Sequence, residues 1–251
     1  MLTNENYFSK ENQKKYMGYS QFKSFCECEA KALAEINGTY EKEPTTSMLV
    51  GSYIDAYFSR ELDQFITNNP QCFTNKGDLR AEFRNAEEII QRIKSDPFMM
   101  SLLNGEHQKN MTGTINGVEF KIKIDSMLPD ITVDQKILKD CEDVWADSMG
   151  KVSFIYANRY DIQAAIYQAV RAENEGVKKP FILAVATKEK ETDLRVFKFS
   201  DEAIKNAYEE VYSKAPRFKE IKNGTIEPTA CGQCNYCKRI KKLTENDIEI
   251  I

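Results

Sequence analysis

The chain of 251 residues contains a single histidine, and that scarcity limits its chemistry from the outset. A Ser-His or Cys-His nucleophilic pair would have to use His107, which sits beside Glu106 in a polar connector and reads as a surface residue. Long apolar runs are missing as well. None approaches the ~20 residues that a membrane-crossing helix needs, and the opening MLTNENYFSKENQKK lacks the apolar core of a signal peptide. There is no excess of positive charge of the kind that marks many nucleic-acid binders. The net charge is −4 and the pI is near 5.4. An acidic chain can still gather basic groups in one groove, so a DNA-directed enzyme stays open. Internal repeats and low-complexity linkers are absent. The seven cysteines are odd in number and unevenly placed, which argues against a secreted disulfide framework and for the reducing cytoplasm.

With 41% hydrophobic and 29% charged residues the composition is that of a soluble globular protein. The length suits one α/β domain spanning 1–251. Within it, 1–17 is polar and expected to be loosely held, and 228–251 forms a cysteine-rich basic tail.

The most informative stretch is Thr112–Lys139, TGTINGVEFKIKIDSMLPDITVDQKILK. Asn116-Gly117 between two runs of β-forming residues predicts a two-residue hairpin turn. In the second run Phe120, Ile122 and Ile124 alternate with Lys121, Lys123 and Asp125, so the two sets face opposite ways. Leu128-Pro129-Asp130 turns the chain into a third strand. There Ile131, Val133 and Ile137 share one face, and Asp134 and Lys136 share the other. Two neighbouring strands thus each offer a carboxylate, with a lysine two residues beyond the second. Such carboxylates can hold one or two Mg²⁺ ions, which take oxygen ligands and keep several waters. That arrangement suits phosphodiester hydrolysis by an activated water, with the lysine orienting it and offsetting developing charge. The same pattern also describes an ordinary strand pair with one solvated polar face.

Elsewhere the periodicity predicts a helix over 20–36 that contains Cys26 and Cys28 and stops at Asn37-Gly38. A second helix is capped by the Thr45-Thr46-Ser47 segment and carries Asp55, readable as a solvated or capping carboxylate. A loop over 70–80, a charged helix over 80–95 and a short helix over 97–103 follow. Residues 140–151 read as a loop or short helical turn around Trp145. A firm helix over 154–175 has Ile162, Ala165, Ile166, Ala169 and Val170 as its core stripe. Its second stripe is Arg159, Gln163, Tyr167 and Arg171, at successive i,i+4 positions. That stripe is either a solvent face or the wall of a groove, with arginines for phosphates and a glutamine for a base or metal water. FILAVAT (181–187) reads as a doubly covered strand. Residues 193–199 form another strand and 201–221 a helix, giving an α/β fold with a mixed sheet.

Near the end, Cys231, Cys234 and Cys237 at x₂,x₂ spacing can meet one metal centre if a fourth ligand comes from Cys28 or Cys26. Zinc and a [4Fe–4S] cluster both fit four thiolates, and three reduced thiols in a tight turn, with Tyr236 packed inward, also fit the residues. Lys238, Arg239, Lys241 and Lys242 follow as DNA contacts or as a solvated helix end.

YMGYSQFKSFCECEAKALAEI, VGSYIDAYF, GTINGVEFKIKIDSM, ITVDQK, YDIQAAIYQ and CGQCNYCKRIKK, in this order and spacing, resemble the PD-(D/E)xK nuclease superfamily, in its phage and prophage branch similar to exodeoxyribonuclease VIII (RecE-like). The resemblance covers nearly the whole chain. It implies a restriction-endonuclease-like core: a central mixed β-sheet flanked by helices, with an N-terminal helical segment and the short cysteine-rich tail. It implies Asp125 and Asp134 as Mg²⁺ (or Mn²⁺) ligands, Asp134 and Lys136 as the (D/E)xK pair, and Gln163 and Tyr167 as the Q-x₃-Y motif lining the site. Asp55 falls where many relatives carry a histidine, and a third metal-directed carboxylate is its implied role. Related nucleases that hold a [4Fe–4S] cluster place one cysteine early and three late, as here with Cys28, Cys231, Cys234 and Cys237, although the late spacing is tighter in this chain. The activity implied is Mg²⁺-dependent degradation of one strand of duplex DNA from an end, with Arg159 or Arg171 holding a neighbouring phosphate. The product would pass to a phage single-strand annealing protein, and related exonucleases form homo-oligomeric rings. Two rivals stay open: a catalytically silent DNA-binding or Fe–S-carrying accessory protein, and a structural component whose work is docking the annealing protein. Metal-dependent cleavage lost on Asp134→Ala excludes the first. A biological role surviving substitution of Lys136 would favour the second.

Overall fold

The computed structural model describes residues 2–41, 44–146, 150–245 and 248. Its N-terminal part is helical. Helix α1 (Lys10–Lys15) is capped by Ser9, whose side chain accepts from the Asn12 amide. Helices α2 (Tyr19–Glu27) and α3 (Glu29–Asn37) occupy the stretch that the periodicity predicts as one helix. The chain breaks between them at Cys28, which is extended (φ −165°, ψ 110°), so Cys28 lies outside both helices while Cys26 stays in α2. The break lets the two helices pack on each other while Phe22 and Phe25 meet Phe218, with ring centroids 5.2 and 5.0 Å apart.

Parts of residues 2–17 are anchored on the sheet. Tyr7 and Met17 are buried, and Met17 bonds to β2 (Val118–Met127) from both sides of its own backbone. Its amide donates to Glu119 O at 2.8 Å and its carbonyl accepts from the Lys121 amide at 2.9 Å, in parallel pairing with Phe120. This edge of β2 is free because β2 pairs with β3 (Thr132–Leu138) only at Ser126–Val133 and Met127–Thr132. Beyond that the two strands part, and Met17 satisfies backbone groups that would otherwise be left without partners.

Helix α4 (Thr46–Phe58) starts under the Thr45 cap, and α5 (Leu62–Asn68) with a 3₁₀ turn (Pro70–Cys72) leads to α6 (Ala81–Lys94). Helix α7 (Pro97–Leu102) begins at the Asp96 cap with proline in its first turn. The chain then enters β1 (Glu106–Ile115), so His107 lies in a strand rather than a connector. Asn116 (φ 46°) and Gly117 (φ 73°) close the β1–β2 hairpin, both in the left-handed region that such a turn requires.

Within the predicted loop or helical turn over 140–151, of which 147–149 lie outside the described residues, the chain forms a small antiparallel pair, β4 (Val144–Ala146) with β5 (Gly150–Val152). The predicted helix over 154–175 is also divided, into α8 (Phe154–Ala157) and α9 (Tyr160–Glu175). Arg159 between them has φ 59°, outside the helical region. Strands β6 (Phe181–Thr187) and β7 (Leu194–Lys198), helix α10 (Asp201–Asn223) and the short α11 (Asn235–Ile240) complete the order.

The five-stranded sheet runs β1-β2-β3-β6-β7, parallel only between β3 and β6, the pair joined by the α9 crossover. Strand β6 is buried along its whole length and splits its side chains between two cores with period 2. Leu183 and Val185 join Ile122, Ile166, Val170 and Phe218 beneath α2, α9 and α10. Ile182, Ala184 and Ala186 join Val133, Ile54, Ile89 and Ile90 beneath α4 and α6. Each valine, leucine or isoleucine among them contributes about 1.5–3 kcal/mol when fully buried. The result is an α/β/α layering around a mixed central sheet, which is the predicted core.

Candidate active site

The parting of β2 and β3 opens the sheet where the two acidic residues stand. Asp125 is the third-last residue of β2, and its Oδ2 accepts from the Gln135 amide across the gap at 2.8 Å. Asp134 and Lys136 alternate along β3 and form an ion pair, with Asp134 buried. Helix α9 lies close on β1 because Gly113 has no side chain. A Cβ there would stand 2.7 Å from the Glu173 carboxylate and 3.3 Å from Val170 Cα. Glu173 uses that proximity to accept from the Thr114 amide at 2.6 Å. So held, α9 presents Gln163, whose Nε2 donates to Asp134 Oδ1 at 2.6 Å, and Tyr167, whose hydroxyl donates to Lys123 O at 3.0 Å.

From the other layer α4 brings Asp55, whose Oδ1 lies 3.5 Å from Gln108 Nε2. Asp55, Asp125, Asp134, Lys136, Gln163 and Tyr167 all line one cavity of about 430 Å³. A second polar cavity of about 450 Å³ shares Ser52, Asp55 and Lys123 with it, so the depression continues over α4 and α5.

Electrostatics mark the cavity further. Burial, reinforced by the charges of Asp134 and Asp55, pushes the Asp125 carboxyl well above the usual carboxylate range, although Lys136 opposes this. Burial and the Asp134 charge likewise raise Asp55 against the pull of Lys136. Burial opposes the charge of Lys136 itself, but Asp134 and Asp125 outweigh it and hold the ammonium above its ordinary pKa. Burial drives Tyr167 upward, with Tyr7, Asp134 and Asp125 adding to it, so its hydroxyl keeps its proton and remains a donor.

The donor set fits a hard divalent cation. Three carboxylates share one cavity with mutual repulsion that a cation relieves, and the buried Gln163 Oε1 has no hydrogen-bond partner among the described residues. The carboxylates are not drawn into a tight cage. Among the described residues only the cysteine group has three or more such ligand atoms all within 4.8 Å of one another. A looser carboxylate set suits an ion that retains water.

Other expected contacts lie elsewhere. Arg171 is buried, and its guanidinium donates to Leu128 O and Ile131 O, both at 2.8 Å, to Thr132 Oγ1 at 3.1 Å and to Glu175 at 3.0 Å. It braces the turn before β3 and has no donor directed at a phosphate. Arg159 is paired with Asp161 at 3.3 Å and Glu210 at 2.5 Å and does not line the cavity. Lys238 and Arg239 are exposed in the last turn of α11, also away from the cavity lining.

Cys28, Cys231, Cys234 and Cys237 do converge, with all four sulfurs within 4.8 Å of one another. Cys26 stays apart, packed against the core, where burial raises its thiol pKa to about 11.

The cavity also holds residues that the sequence pattern did not single out for the site: Lys121, Lys123, Gln108, Tyr7, Phe8 and Tyr19. The alternation with Asp125 already placed Lys121 and Lys123 on its face. Burial lowers the pKa of Lys121 to about 8, and its ammonium sits 4.4 Å from the Tyr7 ring centroid.

A family model described as a PDDEXK-like domain of unknown function (DUF3799) matches residues 18–240. Among solved structures, the chain is similar to a protein from Eubacterium rectale named "putative exonuclease". The two are 40% identical, the match covers 98% of this chain and 95% of that one, and the TM-score is 0.93. Among curated proteins nothing matches.

Proposed function

The chain belongs to the PDDEXK-like family, a branch of the PD-(D/E)xK nucleases, and from that membership we propose that it is a metal-dependent exodeoxyribonuclease acting on linear duplex DNA. The observation that carries this reading is the meeting of Asp55, Asp125, Asp134, Lys136 and Gln163 in one cavity at the parting of β2 and β3.

Asp125 and Asp134 would hold Mg²⁺ or Mn²⁺, with Asp55 assisting. Such an ion supplies an acidified water and offsets charge building on the phosphoryl oxygens. The protein's own groups do the rest. Lys136, kept protonated by its acidic neighbours, orients the attacking water and stabilises negative charge at phosphorus. Gln163 fixes Asp134 through Nε2 and offers its free Oε1 to a water proton. Tyr167 ties α9 to the backbone of β2 and so keeps the glutamine over β3. Lys121 and Lys123 bring positive charge to a cavity otherwise rich in carboxylates, as a phosphodiester backbone requires.

The exonuclease reading is supported by the name carried by the Eubacterium rectale relative and by the resemblance to the RecE-like branch. In that setting the enzyme resects DNA ends for phage-type recombination, supplies single strands to an annealing protein, and works as a ring of identical subunits.

The test is digestion of end-labelled linear duplex DNA with and without Mg²⁺, beside closed circular DNA and the Asp134→Ala variant. Metal-dependent loss from ends, absent from the circle and the variant, is the expected result. Folded protein that cleaves nothing with either Mg²⁺ or Mn²⁺ would overturn the proposal.

A further inference from the structure

The cysteine group joins residues about 200 positions apart. Cys28 Sγ lies 3.6 Å from Cys237 Sγ, and Cys231 Sγ lies 3.9 Å from Cys237 Sγ. These distances are far longer than the ~2.05 Å of a disulfide. They match the edge of a tetrahedron around one ion: a Zn–S bond of ~2.3 Å places neighbouring sulfurs roughly 3.8 Å apart. An iron–sulfur cube would interpose irons and sulfides between the thiolates and spread them beyond this spacing. We infer that Cys28, Cys231, Cys234 and Cys237 bind a single zinc ion as a tetrathiolate, fastening the C-terminal segment to the break between α2 and α3.

The surroundings are built for such a centre. The break at Cys28 takes its side chain out of the helical repeat, and the extended backbone there is what brings the residue to the tail. Gly232 (φ 75°) turns the chain tightly after Cys231. The amides of Cys234 and Cys237 then donate to the sulfurs three residues earlier, at 3.4 and 3.5 Å. Bonds of this kind stabilise thiolate charge and orient ligands around a metal.

Hydrogen bonds outside the cysteine group also dock the tail. Ala30 N donates to Thr229 O at 3.1 Å, and Thr229 N donates to the Glu29 carboxylate at 2.8 Å. Arg217 grips that carboxylate through two bonds of 2.7 and 2.8 Å. On binding, the four thiols lose their protons to solvent and four Zn–S bonds form, with no change in oxidation state. A four-sulfur tetrahedral set favours zinc among the common divalent ions, and it leaves no open position for chemistry, as in a structural site.

The test begins with intact protein produced with both zinc and iron available. Metal and acid-labile sulfide are measured together, and thiol alkylation is compared before and after chelation. One zinc per chain, no labile sulfide, and cysteines protected until chelation are expected. The Cys231→Ser variant, which alters the exposed ligand, should lose the zinc, while Cys26→Ser keeps it. Should Cys231→Ser fail to fold, cobalt substitution of the wild-type protein gives the same answer through tetrahedral thiolate bands in the visible spectrum. Iron in any form, a disulfide among these residues, or four thiols that react freely in protein as isolated would each overturn the inference. None of these measurements depends on nuclease activity.

Discussion

Gln163 donates to Asp134 through Nε2 at 2.6 Å while its own Oε1, also buried, has no hydrogen-bond partner among the described residues. A buried amide oxygen in that state costs about 1–3 kcal/mol unless something fills its acceptor position. In the proposed mechanism that acceptor position is filled by a water at the metal.

Replacing Gln163 by alanine should lower kcat by about 10–100-fold, the range for losing a group that orients a metal ligand. Thermal stability should fall by no more than about 1–3 kcal/mol, because the buried Asp134 Oδ1 loses its donor while the unpartnered Oε1 is removed with it. Steady-state nuclease assays beside thermal melts separate the two effects. A loss of activity that merely tracks unfolding would count against a positioning role.

The raised pKa values of Asp125 and Asp55 give the pH profile a direction. Their ionised forms are the ones that bind a cation, so activity should fall on acidification at a pH above the usual carboxylate range. Raising the Mg²⁺ concentration should move that limb to lower pH, since metal and proton compete for the same oxygens. Without metal the sign for stability is opposite. The folded protein binds protons more tightly than the unfolded chain, so stability is gained as pH falls through the folded pKa. Asp125→Asn should accordingly be inactive yet melt higher than the metal-free wild type at neutral pH. A gain of ~1 kcal/mol would appear as about 2–4 °C in a chain of this size.

Arg171 predicts a different outcome. Its removal leaves the Leu128 and Pro129 carbonyls without a donor, while Ile131 O keeps only the Leu128 amide, and Arg171→Ala should cost about 3–5 kcal/mol of stability. Arg171→Lys should recover little, because one ammonium cannot reproduce the planar fork. Urea denaturation reads both. Binding of DNA by the protein that remains folded should be unchanged.

Met17→Ala should cost roughly 2–5 kcal/mol, the range for a methionine truncated in a packed core. A similar change at the exposed Glu11 should be neutral within about 0.5 kcal/mol. Equal effects at the two positions would mean that the N-terminal segment is not anchored as described.

The core of the fold was legible because it rests on short-range rules. Asn116-Gly117 fixed the hairpin, the alternation through Phe120–Asp125 sorted its faces, and the unbroken FILAVAT run identified the strand covered on both sides. Asp125, Asp134 and Lys136 came out of the same period-2 reading. What escaped was set by single residues or by distant partners. Cys28 and Arg159 each interrupt a helix at one position, and a 3.6-residue pattern runs across such a break unchanged. Arg171 shares a helical stripe with Gln163, but a stripe does not say that the Leu128–Ile131 turn will cover one end of it. The polarity of 1–17 averaged over Tyr7 and Met17, whose burial depends on an edge of β2 that opens only because β3 diverges. Gln108 joins the cavity through tertiary placement, and no local motif marks it.

The meeting of Cys28 with Cys237 also sets an order of events during synthesis. The contact spans 209 positions, so α2 and α3 are made well before the segment that fastens them. A nascent chain therefore carries these first helices without the Thr229, Arg217 and Cys237 contacts that later hold them, in a topology whose long-range closures slow folding. A product cut short before Thr229 has the sheet, the carboxylates and the lysine, yet cannot close this seam. Such fragments should be the ones that proteases remove first.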